Sequence, residues 1–333
     1  MVDIDWITLL SAAALGFSVL NYVLLDGTDL GVGVLMGLTR CSQHRRAMAV
    51  TILPIWDANE TWLVLGGGGL LALFPLAYAI LLPALYLPFI AMFLALIVRA
   101  LALEFRDYSP SARIKRLVDG LLLCGSLVAG ITQGAVLGTL VQGVPDRGGQ
   151  YSGDGWEWSG LFPLYCGVVL VSGYTWLGAC WLYWRTVDDL QLRSARQARA
   201  LAIVTVVLLA VLVVWTATLN IQYAHRLSLR VVWLPAATLL IALLIGFTLG
   251  FRSRWQSLPL FAALGIFVVA FALMVAALYP LIVPPQLTLQ AAASSPTSQV
   301  FMLVGFAVLI PVTLIYNTYG FSVFSGKVRA AGD

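Results

Sequence analysis

The chain has 333 residues, of which 61% are hydrophobic and only 10% are charged, and its formal net charge is +4. This composition excludes a soluble globular domain, which needs more charge on its surface. Because a bilayer core of about 30 Å takes roughly 20 apolar residues per helical crossing, the long apolar runs predict an all-α integral membrane protein rather than a β-barrel.

About nine transmembrane helices are predicted, separated by short polar loops. In chain order they cover residues 7 to 38, 54 to 74, 78 to 105, 117 to 140, 160 to 184, 198 to 220, 231 to 251, 258 to 282 and 299 to 325. The first run follows Asp3 and Asp5 rather than basic residues and lacks a small-residue cleavage site. We therefore expect a retained helix and not a signal peptide.

The basic residues alternate between the predicted loops. Fifteen of the 19 Lys and Arg residues fall in every second loop, beginning with the loop of Arg40, Arg45 and Arg46. Because cytoplasmic loops hold the excess of Lys and Arg, an odd number of crossings with the N-terminus outside and the C-terminus in the cytoplasm is predicted. This alternation explains the net charge, so no nucleic-acid partner is expected.

A glycine-rich outer loop at 141–159, with Trp156 and Trp158, divides the chain after four helices. The expected units are a first four-helix bundle at 1–140, a second at 160–283, and a peripheral ninth helix with a tail at 284–333. The first and fifth helices share glycines and aromatic residues ahead of a basic loop, which makes a duplicated bundle a plausible interpretation.

Apart from Arg199 at the start of the sixth, charged residues inside the predicted helices are confined to the first four. They are Asp26, Asp29, Asp57, Glu60, Arg99, Glu104 and Asp119. Each charge costs at least about 2.5–3.5 kcal/mol in a membrane, so these residues are functional candidates. A rise of about 1.5 Å per residue brings the carboxylates of separate helices to one level near the cytoplasmic side, as a proton inlet requires.

A plainer interpretation treats Asp26, Glu104 and Asp119 as interfacial residues that reach headgroup water, and it is favoured for Asp119. It is disfavoured for Asp57, which lies between Trp56 and Trp62 ahead of an apolar glycine run.

Glycines on the first helix, Gly27, Gly31 and Gly33, predict close helix packing. Gly67 on the second helix is assigned the same role. The only histidines, His44 and His225, fall in loops, and the four cysteines show no CxxC spacing. We therefore expect this chain to bind no heme iron and no other metal.

Four segments together resemble the signatures of one family. They are Leu25–Gly33, Pro54–Trp62 followed by Gly67 and Gly68, Arg99 with Glu104, and Leu140–Pro145. These segments resemble subunit II of the cytochrome bd-type quinol oxidases, the cyanide-insensitive type included. The resemblance implies two four-helix bundles plus one helix, in a bacterial inner-membrane complex.

In such a complex a heme-bearing subunit I, with heme b and heme d or a b-type substitute, oxidises quinol and reduces O2 to water. Small accessory subunits and a structural quinone are further possibilities. The resemblance also makes Asp57 the main relay for cytoplasmic protons and puts Glu104, where relatives can carry Asp, near the channel mouth. Asp29, Glu60 and Asp26 would support them, and Arg99 would compensate buried negative charge on carboxylates or heme propionates.

Two other functions stay open at this point. A proton-coupled secondary transporter also needs membrane carboxylates, although the odd helix count and the one-sided charges argue against it. The chain can also be a purely structural scaffold on which subunit I folds.

Overall fold

The computed structural model describes residues 4–324 and 326–329. Asp3 and position 325, the predicted end of the ninth helix, lie outside the described residues, as do 330–333 of the tail. The helices are α1 (Trp6–Leu38), α2 (Ser42–Ile52), α3 (Trp56–Leu73), α4 (Pro75–Ala84), α5 (Tyr86–Phe105), α6 (Ala112–Gln142), α7 (Leu161–Arg185), α8 (Asp188–Leu219), α9 (Ile221–Ser228), α10 (Arg230–Gly250), α11 (Leu258–Leu278), α12 (Leu289–Ala292) and α13 (Pro296–Val323).

Eight of these helices are long and apolar enough to cross a membrane: α1, α5, α6, α7, α8, α10, α11 and α13. The prediction of an all-α protein with several membrane spans is therefore confirmed. The predicted second crossing corresponds to α3, which has 18 residues and carries Asp57 and Glu60 near its start. The count of nine crossings depends on this helix and stays a prediction.

The helix predicted at 78–105 is in fact two helices, α4 and α5, with a break at Leu85. Leu85 has φ −112° and ψ 16°, outside the helical range. Pro88 has no N–H to donate to a carbonyl four residues earlier, and Pro83 lies just before the break. The two prolines account for the interruption, which the hydrophobic run alone did not predict.

Other boundaries differ at the membrane surfaces. The loop with Arg45 and Arg46 is the helix α2, and α8 begins ten residues before its predicted start at 198. The eighth predicted helix ends at Leu278 rather than 282, because Pro280 follows it and residues 281–283 form a strand. Strand β3 (Leu281–Val283) pairs antiparallel with β4 (Leu287–Thr288), with Leu281 opposite Thr288 and Val283 opposite Leu287.

Helix α1 lies at the centre of the molecule and packs against α3, α6 and α7. The closest approach is between α1 and α7. A Cβ atom built on Gly31 would overlap the backbone carbonyl of Tyr174, and one on Gly178 would overlap the backbone of Gly31. Only glycine allows the two helices to approach this closely. Helix α13, expected to be peripheral, packs against α3 and α1.

One end of the molecule, which we call the basic end, contains α2, the start of α3 and the loop between α5 and α6. There Asp119 accepts hydrogen bonds from Arg45 Nη1 and Arg106 Nε, both at 2.6 Å. The Asp119 side chain is only 4% exposed. This corrects the interpretation that Asp119 reaches headgroup water, since two arginines satisfy its carboxylate inside the protein.

The opposite end contains the glycine-rich loop. Its strands β1 (Asp146–Arg147) and β2 (Gln150–Tyr151) pair antiparallel, with Asp146 opposite Tyr151. A short 3-10 helix (Glu157–Ser159) follows. The Tyr151 hydroxyl donates to the Glu157 carboxylate, whose oxygens lie 2.8 and 2.9 Å away. This contact closes the loop over the ends of α6 and α7.

Candidate functional site

Two of the predicted site residues, Asp26 and Asp29, lie one turn apart in the middle of the α1 packing surface. Asp26 is fully buried and Asp29 is 1% exposed. Their burial follows from the neighbouring glycines, since the ring of Tyr174 on α7 occupies the space where Gly27 would carry a side chain. The same glycines that let α7 pack against α1 therefore remove these carboxyl groups from lipid and water.

Arg99 on α5 joins the two acidic helices. Its Nη2 donates to Asp26 Oδ1, and its Nη1 donates to Glu60 Oε1 at 3.2 Å. The guanidinium also lies 5.8 Å from the centroid of the Trp56 ring. Arg99 is 1% exposed. Its side chain therefore supplies the positive charge that a buried carboxylate needs in order to remain ionised.

Asn59 on α3 holds the second carboxyl group. Its Nδ2 donates to Asp29 Oδ2 at 2.7 Å, and the amide is 1% exposed. We call Asp26, Asp29, Asn59, Glu60 and Arg99 the acid cluster. Within the described chain, Asp29 Oδ1 and Asn59 Oδ1 make no hydrogen bond. The cluster has three carboxyl groups for one guanidinium, so it can hold a proton as well as an arginine charge.

Asp57 and Glu104 lie elsewhere: both are exposed, and neither makes a hydrogen bond or ion pair within residues 4–324 and 326–329. Asp57 belongs to a line of exposed residues along one face of α3, with Thr61, Val64, Gly68 and Leu71. Glu104 ends a similar line of exposed residues on α5, formed by Leu94, Ile97 and Leu101. We call these two lines the α3–α5 face. Three of the five predicted carboxylates, those of Asp26, Asp29 and Glu60, thus come together, whereas Asp57 and Glu104 are exposed.

Glu60 connects the two groups of acids. Its side chain is 30% exposed, its carboxylate accepts from Arg99, and it interacts electrostatically with Asp57. Glu60 therefore belongs to the acid cluster and also reaches towards the α3–α5 face.

The predicted packing glycines differ in their surroundings. Side chains on Gly27, Gly31 and Gly33 would overlap Tyr174 or Ser126, so all three lie in close helix contacts. A Cβ atom on Gly67 would meet nothing within 4 Å in the described chain. Gly67 lies beside the line of exposed residues on α3 and packs against no other part of the described chain.

Sequence reasoning missed the uncharged polar residues around the acid cluster. Gln133 on α6 donates to the Tyr22 hydroxyl at 2.7 Å and accepts from the Tyr174 hydroxyl at 2.8 Å. All three side chains are buried. Together with Asn59 they surround the carboxyl groups with hydrogen-bonding groups. The signal was available, because amides and tyrosines inside apolar runs also need partners in a membrane.

The residues of the described chain do not fit a heme or a metal ion. His44 is on α2, with its Nε2 3.9 Å from Asp189 Oδ2, and His225 is on the short helix α9, so neither lies on a membrane-spanning helix. No group of three His, Cys, Asp or Glu residues is close enough to bind a metal in the described part.

An apolar cavity of about 160 Å³ lies between α1, α6, α7, α8 and α11, with Phe267 and Phe271 in its wall.

Comparison with known proteins gives a consistent result. Residues 7–324 match the protein family described as cytochrome bd terminal oxidase subunit II. Subunit 2 of the cytochrome bd-I ubiquinol oxidase of Escherichia coli K12 is 32% identical over 221 residues, which is 65% of this chain. That alignment spans 58% of the length of the relative.

Two further relatives cover more of the chain. The probable cytochrome oxidase subunit 2 of Haemophilus influenzae is 26% identical over 366 residues, covering 98% of this chain and 94% of the relative. The solved structure of the bd oxidase from Geobacillus thermodenitrificans has a TM-score of 0.75 and 16% identity. It covers 96% of this chain and 98% of the matched chain, which is a similarity of fold.

Proposed function

The chain belongs to the cytochrome bd terminal oxidase subunit II family, and on that basis we propose that it is the subunit without heme of a bd-type quinol oxidase. The partner is a heme-bearing subunit I, in which quinol is oxidised and O2 is reduced to water. Heme b and heme d, or a b-type substitute, belong to that partner. The positions of His44 and His225, both outside the spanning helices, support this division.

The proposed orientation puts the basic end in the cytoplasm. Arginines of α2 and of the loop after α5 lie at this end, and cytoplasmic loops are enriched in such residues. The N-terminus then lies outside, the C-terminal tail lies in the cytoplasm of a bacterial inner membrane, and α3 is one of nine crossings.

The α3–α5 face is proposed as the contact with subunit I. Its surface is apolar except for the Thr61 hydroxyl and the carboxylates of Asp57 and Glu104, and these two carboxylates have no partner in the described chain. A charge facing acyl chains costs at least about 2.5–3.5 kcal/mol, whereas a protein interface with polar groups and water can satisfy it. The space around Gly67 and Gly68 allows a helix of the partner to approach closely.

Along this interface, protons enter from the cytoplasm past Glu104 and Asp57 and reach Glu60. The single observation that carries the proposal is the position of Glu60, which is partly exposed beside Asp57 and also bonded to buried Arg99. Arg99 balances the charge of the acid cluster while a proton moves between its carboxyl groups. Asp26 and Asp29 are then buried carboxyl groups next to the route, and they can bind a proton from it.

The cavity beside Phe267 and Phe271 has apolar and aromatic walls, which suit the binding of a segment of an isoprenoid tail. We assign the possible structural quinone to this place. Small accessory subunits would pack on the helices that face lipid.

The test uses Asp57→Asn in the assembled complex, with quinol oxidase turnover and proton uptake as readouts. Removing a proton relay is expected to slow turnover at least about 100-fold while the heme spectrum is retained. Asp189→Asn is the matched control, because Asp189 is a 73% exposed carboxylate at the basic end on α8. Its turnover should equal that of the unaltered complex.

Two results would change the assignment. Unchanged turnover and proton uptake in Asp57→Asn would remove Asp57 from the route. If substitutions of Asp57, Glu60 and Glu104 all left activity intact while changes in the α3–α5 face prevented heme incorporation, the chain would be a structural scaffold.

A further inference from the structure

A second cavity lies at the basic end, between the start of α3 and the end of α13. Its volume is about 220 Å³. Pro54, Ile55, Ala58 and Asn59 line it from the α3 side, and residues from Tyr316 to Phe324 line it from α13. It opens near Phe324 and Pro54, both of which are exposed. This cavity lies on the α13 side of α3, away from the α3–α5 face.

Two buried amides in the cavity wall have polar atoms that make no hydrogen bond in the described chain. Asn317 on α13 is 6% exposed, and neither its Nδ2 nor its Oδ1 has a partner in the described chain. Asn59 uses its Nδ2 for Asp29 and leaves its Oδ1 without a partner. Leaving a buried amide unpaired costs about 1–3 kcal/mol per group, so these three atoms indicate a missing polar ligand.

The ligand must both donate and accept. Asn317 presents one acceptor and two donor hydrogens, and Asn59 presents an acceptor. A cation would satisfy only the oxygens and an anion only the amide hydrogens, whereas water satisfies both. A single water needs about 15 Å³, so the cavity has room for several.

Resting on the proposed proton uptake, we propose that this cavity is a water-binding site that hydrates the acid cluster from the basic end through Asn317 and Asn59. Asn59 contacts Asp29 directly, at 2.7 Å, and is also one of the residues that line the cavity. Water there gives Asp29 access to the cytoplasm that is separate from the route past Asp57. Asn317 acts as a positioning residue for that water and does not itself carry the proton.

The mouth of the cavity is held by the chain that follows α13. Arg185 on α7 donates to the carbonyl of Phe324, and the Val328 N–H donates to the Arg185 carbonyl at 2.8 Å. These bonds fix the end of α13 against α7, so the cavity has a defined shape instead of closing by helix movement.

Hydration can be measured directly by hydroxyl-radical footprinting of the purified oxidase complex. Ile55 is a suitable reporter, because it lines the cavity and is only 7% exposed. Ile80, which is fully buried elsewhere, reports the background. We expect Ile55 to be labelled several-fold above Ile80 in the unaltered complex and to fall to background in Asn317→Leu. Asn317→Ser keeps a polar group and should preserve the labelling.

Turnover of the same variants tests the link to Asp29. Asn317→Leu should slow quinol oxidation about tenfold, the factor that loss of one hydrogen bond can give. Thr313→Val is the matched control: Thr313 is buried one turn earlier on α13 but does not line the cavity. It should leave turnover and labelling unchanged.

Absence of labelling at Ile55 in the unaltered complex would overturn the water site. Labelling that persists in Asn317→Leu, with normal turnover, would overturn the role of Asn317. If Asp29→Asn stops turnover but Asn317→Leu does not, the proposed function stands and the hydration route is wrong. If Asp29→Asn leaves turnover normal, Asp29 is removed from proton uptake, and labelling lost in Asn317→Leu still supports the water site.

Discussion

Replacing Arg99 by methionine is expected to destabilise the assembled complex strongly. The side chain is 1% exposed, and its loss leaves the fully buried Asp26 without a cation. Breaking a buried ion pair from one side costs about 3–5 kcal/mol. Glu60 adds less, because its side chain is 30% exposed and water screens its charge. A methionine of similar length fills most of the volume, so the effect is mainly electrostatic.

The assay is the midpoint of heat-induced loss of the heme spectrum. At about 2–4 °C per kcal/mol, the expected decrease is roughly 6–20 °C. Adding Asp26→Asn removes the orphaned charge and should restore at least about 1 kcal/mol of the loss. Asp189→Asn, which changes a 73% exposed charge on α8 away from the α3–α5 face, serves as control and should shift the midpoint little. If the two single substitutions are additive in the double variant, Arg99 and Asp26 are not coupled and the charge argument is refuted.

Three further predictions concern packing, the basic end and the outer loop. Gly31→Ala should cost about 1–3 kcal/mol of stability by forcing α1 and α7 apart, whereas Gly246→Ala on α10, where a Cβ atom would meet nothing within 4 Å in the described chain, should be neutral or gain up to about 1 kcal/mol. Equal thermal midpoints for the two variants would contradict this. Asp119→Asn should remove the carboxylate shared by half-buried Arg45 and buried Arg106, leaving Arg106 only the half-exposed Asp107 at 3.5 Å, and should speed trypsin cleavage between α5 and α6; an unchanged rate would refute the pairing. Burial and the hydrogen bond to Glu157 raise the pKa of Tyr151 to about 12. The contribution of this tyrosine to loop stability is therefore complete below pH 10 and is lost as the pH rises towards 12. At pH 11, Tyr151→Phe should not change the ultraviolet phenolate signal and Glu157→Gln should increase it, and a decrease in Tyr151→Phe would contradict the raised pKa.

The helical architecture was predictable because hydrophobic runs of fixed length determine where helices can cross. The break at Leu85 was predictable in principle, since Pro83 and Pro88 stand on either side of it. The early start of α8 was not, because its first turns contain Asp188, Asp189 and Arg193 and read as a polar loop. Hydropathy reports the part of a helix inside the membrane and misses the part that projects beyond it.

The depth of the carboxylates in the membrane was predictable, but the direction in which each side chain points from its helix was not. Helical rise gives the level of Asp26, Asp57 and Glu104, whereas the direction of each side chain around its helix depends on which neighbours pack there. Asp26 points to α5 and is buried against Arg99, while Asp57 and Glu104 point away from the chain. Asn59 and Asn317 carry no charge, so the cost of burying a charge in a membrane does not single them out.

The position of α13 has a consequence for synthesis in the cell. Chains emerge from the ribosome in order, so α1, α3 and the acid cluster are made long before residues 296–323. Until α13 arrives, the surface of α3 that carries Asn59 has no neighbour on that side, and lipid can reach its unpaired amide oxygen. A nascent chain halted before Pro296 would thus expose a polar site to the bilayer, which a membrane quality-control protease can recognise. Helix α13, which is made after α3, therefore covers a polar surface that was made earlier.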